Sequence, residues 1–281
     1  MFRKIPTSDL FLNLQSPPLN LNPNLLTCIL LSVLLAGCHS QMIGSGFSSN
    51  KILASDTLRI HTDFVLPEDH PLIVELGDQK QRLAQRTGLT FSAAKVPIDV
   101  YLFRDRDSFN QFTSKSNAAF ARRRAFFVKG DSMLNVYAVW GDRAAEDLRH
   151  EVTHGYLHSV APSIPLWIDE GLAEYFEVGP GTGGLNWAHV QHLLDAFEQE
   201  TWTPSLGRME SLYDPLKLDQ TDYAEAWLWT HFLLSEDSTA ALVRSQMQRY
   251  QNKTGVAWTA KVHHLVHDPN QRLLEHLKAL Q

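Results

Sequence analysis

The chain has 281 residues, 44% of them hydrophobic and 20% charged, with a formal net charge of −6. That composition excludes a disordered tail, a collagen-like rod and a polytopic membrane protein, and the acidic balance argues against a general nucleic-acid binder, which needs excess Lys and Arg to displace counterions from phosphates. With only two cysteines, Cys28 and Cys38, neither a disulfide scaffold nor a cysteine-based zinc finger is available.

Residues 1–37 read as an export signal. Arg3 and Lys4 precede an apolar run from Leu25 to Leu35, too short for a bilayer, which takes about 20 residues, but suited to a signal peptide. The run ends in Leu35-Ala36-Gly37-Cys38, which resembles the lipobox of bacterial lipoproteins. The resemblance implies cleavage before Cys38, acylation of its sulfur and attachment to a bacterial membrane, with the periplasmic face of the outer membrane as the expected location. A plain signal peptide or a buried helix is the alternative. Residues 38–50, rich in Gly and Ser from Gln41 onward, read as a flexible tether.

From residue 51 the pattern is that of one α+β domain: a small mixed sheet with flanking helices over 51–141, then a mainly helical half over 142–281. Strands are predicted at 57–64, 96–103, 125–128 and 133–140, the last two around the Lys129-Gly130-Asp131 turn. A helix over 68–86 should end near Gly88, and a short one over 105–114 has Asp105 as its N-cap. Further helices are predicted at 143–159, 165–176, 187–200, 223–235, 238–250 and 271–280. There is no internal repeat.

The chemistry concentrates in two neighbouring strings. The first is His150-Glu151-Val152-Thr153-His154. On a helix, positions i and i+4 share a face, so both imidazoles can reach one metal ion. Glu151, rotated by about 100°, stands beside the metal without being a ligand, where a carboxylate can take a proton from a water. Val152 and Thr153 point elsewhere and are free to pack.

The second string is Pro165-Leu166-Trp167-Ile168-Asp169-Glu170-Gly171-Leu172-Ala173-Glu174-Tyr175-Phe176. Pro165 suits the first position of a helix, and Pro162 makes a break that lets this helix fold back on the first. Glu170 and Glu174 share a face, and two carboxylates flanked by Trp and Leu are costly to bury without a cation or donors. A Zn2+ ion with its histidines satisfies both. Glu170 then serves as third ligand, and Glu174 accepts a hydrogen bond from the free nitrogen of a ligand histidine. Gly171, costing about 1 kcal/mol in mid-helix, makes sense where helices approach closely.

The two strings together resemble the gluzincin, or thermolysin-like, zinc metallopeptidases, in which the third ligand is the Glu of an Asn/Asp-Glu-Gly-Leu-Ala segment. The likeness is to short bacterial members and spans roughly Thr57 to Leu234, with a loop between His154 and Glu170 shorter than in the well-studied members. It implies a zincin-like core and hydrolysis of a peptide or protein substrate. It also implies that an edge strand ahead of the first motif lines the cleft, a place Met133–Val139 occupies, and that a Tyr or His from a later helix donates to the oxyanion. Tyr223 is the candidate for that role, with His231 as rival. Two further readings stay open: a non-catalytic or vestigial zinc lipoprotein acting in binding or assembly, and a zinc hydrolase of non-peptide amides.

Other signals are set aside. His158 lacks the metzincin context and reads as a polar neighbour. His263, His264 and His267 read as a solvated helix face, and Arg122-Arg123-Arg124 as a loop or sheet rim. The glycine-rich 179–184 segment lacks a P-loop ending and reads as a mobile lip of the cleft or an interhelix linker.

Overall fold

The computed structural model describes residues 47, 50–93, 96–113, 120 and 123–281. Cys38, the export signal and most of the expected tether lie outside the described residues, as does Arg122.

Five strands form one mixed sheet: β1 (Asn50–Leu53), β2 (Leu58–Thr62), β3 (Ile98–Phe103), β4 (Ala125–Gly130) and β5 (Met133–Val139). Their order is β1-β2-β3-β5-β4. The β2/β3 and β3/β5 pairs are parallel, while β1/β2 and β4/β5 are antiparallel. The parallel β2/β3 pair is joined by the crossover helix α1 (Pro71–Thr87), as parallel neighbours require. Alternation in Leu58–Thr62 sends Leu58, Ile60 and Thr62 to a buried face. β1 was not expected, because its first residue belonged to the anticipated tether; Phe47 just before it packs edge-on against Tyr101 and Phe103.

One expectation is overturned by topology. Met133–Val139 is an interior strand, paired on both sides, and among the described residues the edge strands are β4 beside it and β1 at the far side. The tight turn at Asp131 and Ser132, just past the expected Lys129 and Gly130, which end β4, makes β4 and β5 a hairpin, and the parallel β3/β5 pairing then leaves β4 on the outside. Both faces of β4 are covered. Phe127 faces the helices, stacking on the rings of His154 and His158. Phe126 lies in a separate aromatic cluster with Tyr137, Phe120 and Phe109.

The remaining elements are helical: α2 (Arg106–Thr113), α3 (Ala144–Val160), α4 (Leu166–Glu177), α5 (Trp187–Glu198), α6 (Leu206–Glu210), α7 (Gln220–Ser235), α8 (Asp237–Gln251), α9 (Thr259–Leu265) and α10 (Pro269–Ala279). Helix ends follow local chemistry. α1 starts at Pro71 with the His70 ring accepting from the Leu72 amide, and stops at Gly88 in a left-handed conformation, φ +70°. The Asp105 carboxylate caps the Ser108 amide ahead of α2. α7 begins at Gln220 rather than Tyr223, because Asp219 and Asp222 form a reciprocal capping box.

α3 lies between sheet and helical half, packed on β3, β4, β5, α1 and α4. It is buried nearly all round, so its polar residues must find partners inside the protein. Two glycines set the spacing. A Cβ at Gly155 would stand 2.9 Å from Ile98 Cγ2, so α3 sits tight on β3. A Cβ at Gly171 would collide with Thr230 Oγ1 and the Ala226 carbonyl, so α4 sits tight on α7.

Candidate metal centre

α3 and α4 meet across the Pro162–Pro165 turn, and their contact brings the two strings together. His150, Glu151, His154 and Glu170 all have 0% exposure. The Nε2 atoms of His150 and His154 lie 3.2 Å apart. Glu170 Oε2 is 3.7 Å from the first and 3.6 Å from the second. The centre of a triangle with those edges lies about 2.0 Å from each corner, the distance at which zinc holds nitrogen and carboxylate oxygen. The three residues form a group able to hold a metal ion.

Tautomers decide what the triangle needs. His154 Nδ1 lies 3.0 Å from Asp169 Oδ1, and His150 Nδ1 lies 3.2 Å from Glu177 Oε2. Each Nδ1 carries its proton toward a carboxylate, so in the neutral ring each Nε2 presents a lone pair to the other and to Glu170. Neither Glu170 oxygen has a hydrogen-bond partner. Protons are a poor substitute for a cation here, since two Nε2–H donors 3.2 Å apart would oppose each other. Burial pulls both imidazoles down. The carboxylates outweigh it, Glu170 and Glu177 lifting His150 well above its ordinary value, and Asp169 and Glu170 lifting His154 to about 10. Burial pushes Glu170 up, but His154 and His150 hold it below the usual carboxylate range.

Glu151 projects from α3 beside this triangle, with neither carboxylate oxygen hydrogen-bonded. Burial raises its pKa, with the charges of His150, His154 and Arg123 acting in the opposite direction. Val152 and Thr153 turn away as expected. Val152 joins the core, and Thr153 binds the Arg149 carbonyl and the Gln79 amide of α1.

Glu174 does not orient a ligand in the expected way. Its Oε1 stands 3.9 Å from His150 Nδ1, beyond hydrogen-bond reach, and its Oε2 takes the His189 Nε2–H at 2.7 Å. Glu177, one turn on, holds His150 instead, because residues 170, 174 and 177 form a stripe along α4. The Asn186 amide fixes the other Glu177 oxygen at 2.8 Å. Burial pushes Glu174 and Glu177 up to about 7 and His189 down to about 4. Glu177 was missed in the sequence, where its place on the acid stripe was the one signal that could have pointed to it; Asn186 and His189 carried no such signal.

The two oxyanion candidates part company. Tyr223 is buried on α7, seven residues before Thr230, whose side chain faces Gly171 of α4; that spacing puts Tyr223 on the α7 face turned to α4. His231 is engaged elsewhere, its Nδ1 2.9 Å from His276 Nε2 on α10 and its ring against Trp227 and Tyr175. The 179–184 segment links α4 to α5 and is tied down by the Trp227 Nε1–H, which reaches the Gly184 carbonyl at 2.8 Å. Arg124 pairs with Asp147 at the sheet rim, and His263, His264 and His267 are exposed.

No curated protein matches this sequence. Residues 145–255, which carry both candidate strings and α7, match a family described as Protein of unknown function (DUF1570).

Proposed function

We propose that this chain is a zinc-dependent hydrolase of the gluzincin type, acting on peptide bonds. The observation that carries the reading is the convergence of three lone-pair atoms on one point inside the protein, with an unpartnered carboxylate, Glu151, beside it. A nitrogen–nitrogen–oxygen set suits zinc and leaves a fourth position open, as catalytic sites do. Zinc held there supplies Lewis acidity to the scissile carbonyl and the attacking water. Glu151 accepts the water proton and returns it to the departing amine. Asp169 and Glu177 hold the two imidazoles with their Nε2 lone pairs inward. Tyr223 donates to the oxyanion, where one such bond is worth about 3 kcal/mol. The outer side of β4, an edge among the described residues, offers backbone groups to an extended peptide.

The test is Glu151→Gln. Purified variant retains about one zinc per chain by elemental analysis, while cleavage of a peptide library falls by about 10²–10⁴-fold. Undiminished cleavage refutes the general-base role. One observation favours a second reading, a structural metal site in a binding protein: Glu151 and all three ligands are fully buried. Wild-type protein that holds zinc and cleaves no library member supports that reading.

Membrane attachment through Cys38 belongs to the same proposal, on the strength of the lipobox-like string. No helix among the described residues is long and apolar enough to cross a membrane. Cys38→Ser is expected to abolish palmitate labelling and move the protein from the membrane to the soluble fraction.

A further inference from the structure

We infer that His158 is a positioning residue for the ligand His154, acting through Asp169; the inference rests on the metal centre proposed above. Asp169 is buried at 1% exposure, and its two oxygens serve different rings, Oδ1 to His154 Nδ1 at 3.0 Å and Oδ2 to His158 Nε2 at 2.7 Å. Beyond His158 stands Lys129 of β4, its Nζ 3.4 Å from His158 Nδ1 and 2.6 Å from the Pro162 carbonyl. An ammonium group has only donors, so His158 Nδ1 accepts and its Nε2 carries the proton. Every direction in the chain is then set. Lys129 donates to His158, His158 and His154 both donate to Asp169, and His154 is left with its Nε2 lone pair toward the metal point.

A carboxylate held by one hydrogen bond can swing about its Cβ–Cγ bond; held at both oxygens it cannot. His158 supplies the second hold, and the Phe127 ring, stacked on it at 5.6 Å, keeps it in place. The same construction recurs on the other ligand, where Asn186 holds the second oxygen of the carboxylate that orients His150. His154, His158 and Asp169 also stand close enough to share a cation. Their separations are those of hydrogen bonds to two separate oxygens, and a second cation would need the His154 ring stripped of both protons.

The experiment measures zinc affinity of the purified full-length chain by competition with a chromogenic chelator, for wild type, His158→Phe and His158→Gln, with circular dichroism melts alongside. His158→Phe keeps the stack on Phe127 and removes the donor; His158→Gln removes the stack and keeps a donor. The expected result is a loss of about 10–100-fold in affinity for the Phe variant, with most of it restored in the Gln variant. Wild-type affinity in the Phe variant overturns the inference in favour of shape alone, and equal loss in both overturns it in favour of packing damage that the donor does not repair. Two zinc ions per wild-type chain, with one lost in His158→Phe, overturns it in favour of a second cation. Wild type that binds no zinc removes the metal centre itself, a result distinct from the others.

Discussion

At the scale of single residues, the convergence of His150 and His154 was readable because their spacing is enforced by the helix: two histidines four apart can only share a face. Glu170 was readable because an acid in an apolar string needs a reason to be buried. The residues that orient those ligands were not, since they depend on which rotamer and which turn of α4 comes nearest. Glu174 and Glu177 both lie on the stripe facing α3, and a difference of 0.7 Å at His150 Nδ1 decides between them. His231 shows the limit of reading a role by analogy, because only the course of α10 reveals that its ring belongs to His276. That pair carries a pH prediction. Burial, the neighbouring His276 and Arg86 lower His231 to about 4, and burial lowers His276. Between about pH 4 and 6.5 the unfolded chain binds protons that the folded one refuses, so stability rises with pH there and is lost on acidification. Between pH 7 and 4.5 wild type should therefore lose melting temperature relative to His231→Gln, the comparison cancelling the opposite contributions of Glu174 and Glu177.

At the scale of elements, long periodic helices and alternating strands were legible, and their ends followed caps visible in the sequence. The short α6 and α9 were missed, since five and seven residues offer too little period to detect. Strand order was the other loss. Nothing in Ala125–Gly130 or Met133–Val139 says which is the edge, because β4 is apolar on both faces like an interior strand. The α4/α7 contact shows what sequence did announce. Gly171 is unfavourable in a helix by about 1 kcal/mol, yet its missing Cβ is what admits Thr230 and Ala226. Gly171→Ala therefore should not stabilise. Overpacking costs about 1–3 kcal/mol, and a denaturant titration should show a net loss together with weaker zinc binding, since Glu170 must shift with its helix.

At the scale of the whole molecule, the centre is a concentration of buried acid. Glu151, Asp169, Glu170 and Glu174 are each at most 1% exposed, and they share the space between α3 and α4 with His150, His154 and His189. Such a cluster repels itself unless a cation is present, so the fold and the metal should be energetically linked. Zinc at about 100 times its dissociation constant adds about 2.7 kcal/mol. For a domain of this size that corresponds to a rise in melting temperature of about 5–11 °C, and a chelator should reverse it in a thermal-shift measurement. Away from the centre the same rule is met with protein donors alone. The buried Glu225 carboxylate takes hydrogen bonds from the Trp202 and Trp229 indoles, the Ser205 amide and Arg208. No metal ion is called for there, because Arg208 supplies the positive charge, and the contrast marks out Glu151 and Glu170 as the acids left without a hydrogen-bond donor.

The complete enclosure of His150, His154 and Glu170 has a kinetic corollary. An ion proposed to sit among these fully buried side chains meets a competitor, water or substrate alike only when the elements around it part. It departs only when α3 and α4 breathe apart, so the rate of demetallation becomes a clock for that motion, indifferent to how strong or how abundant the scavenger is.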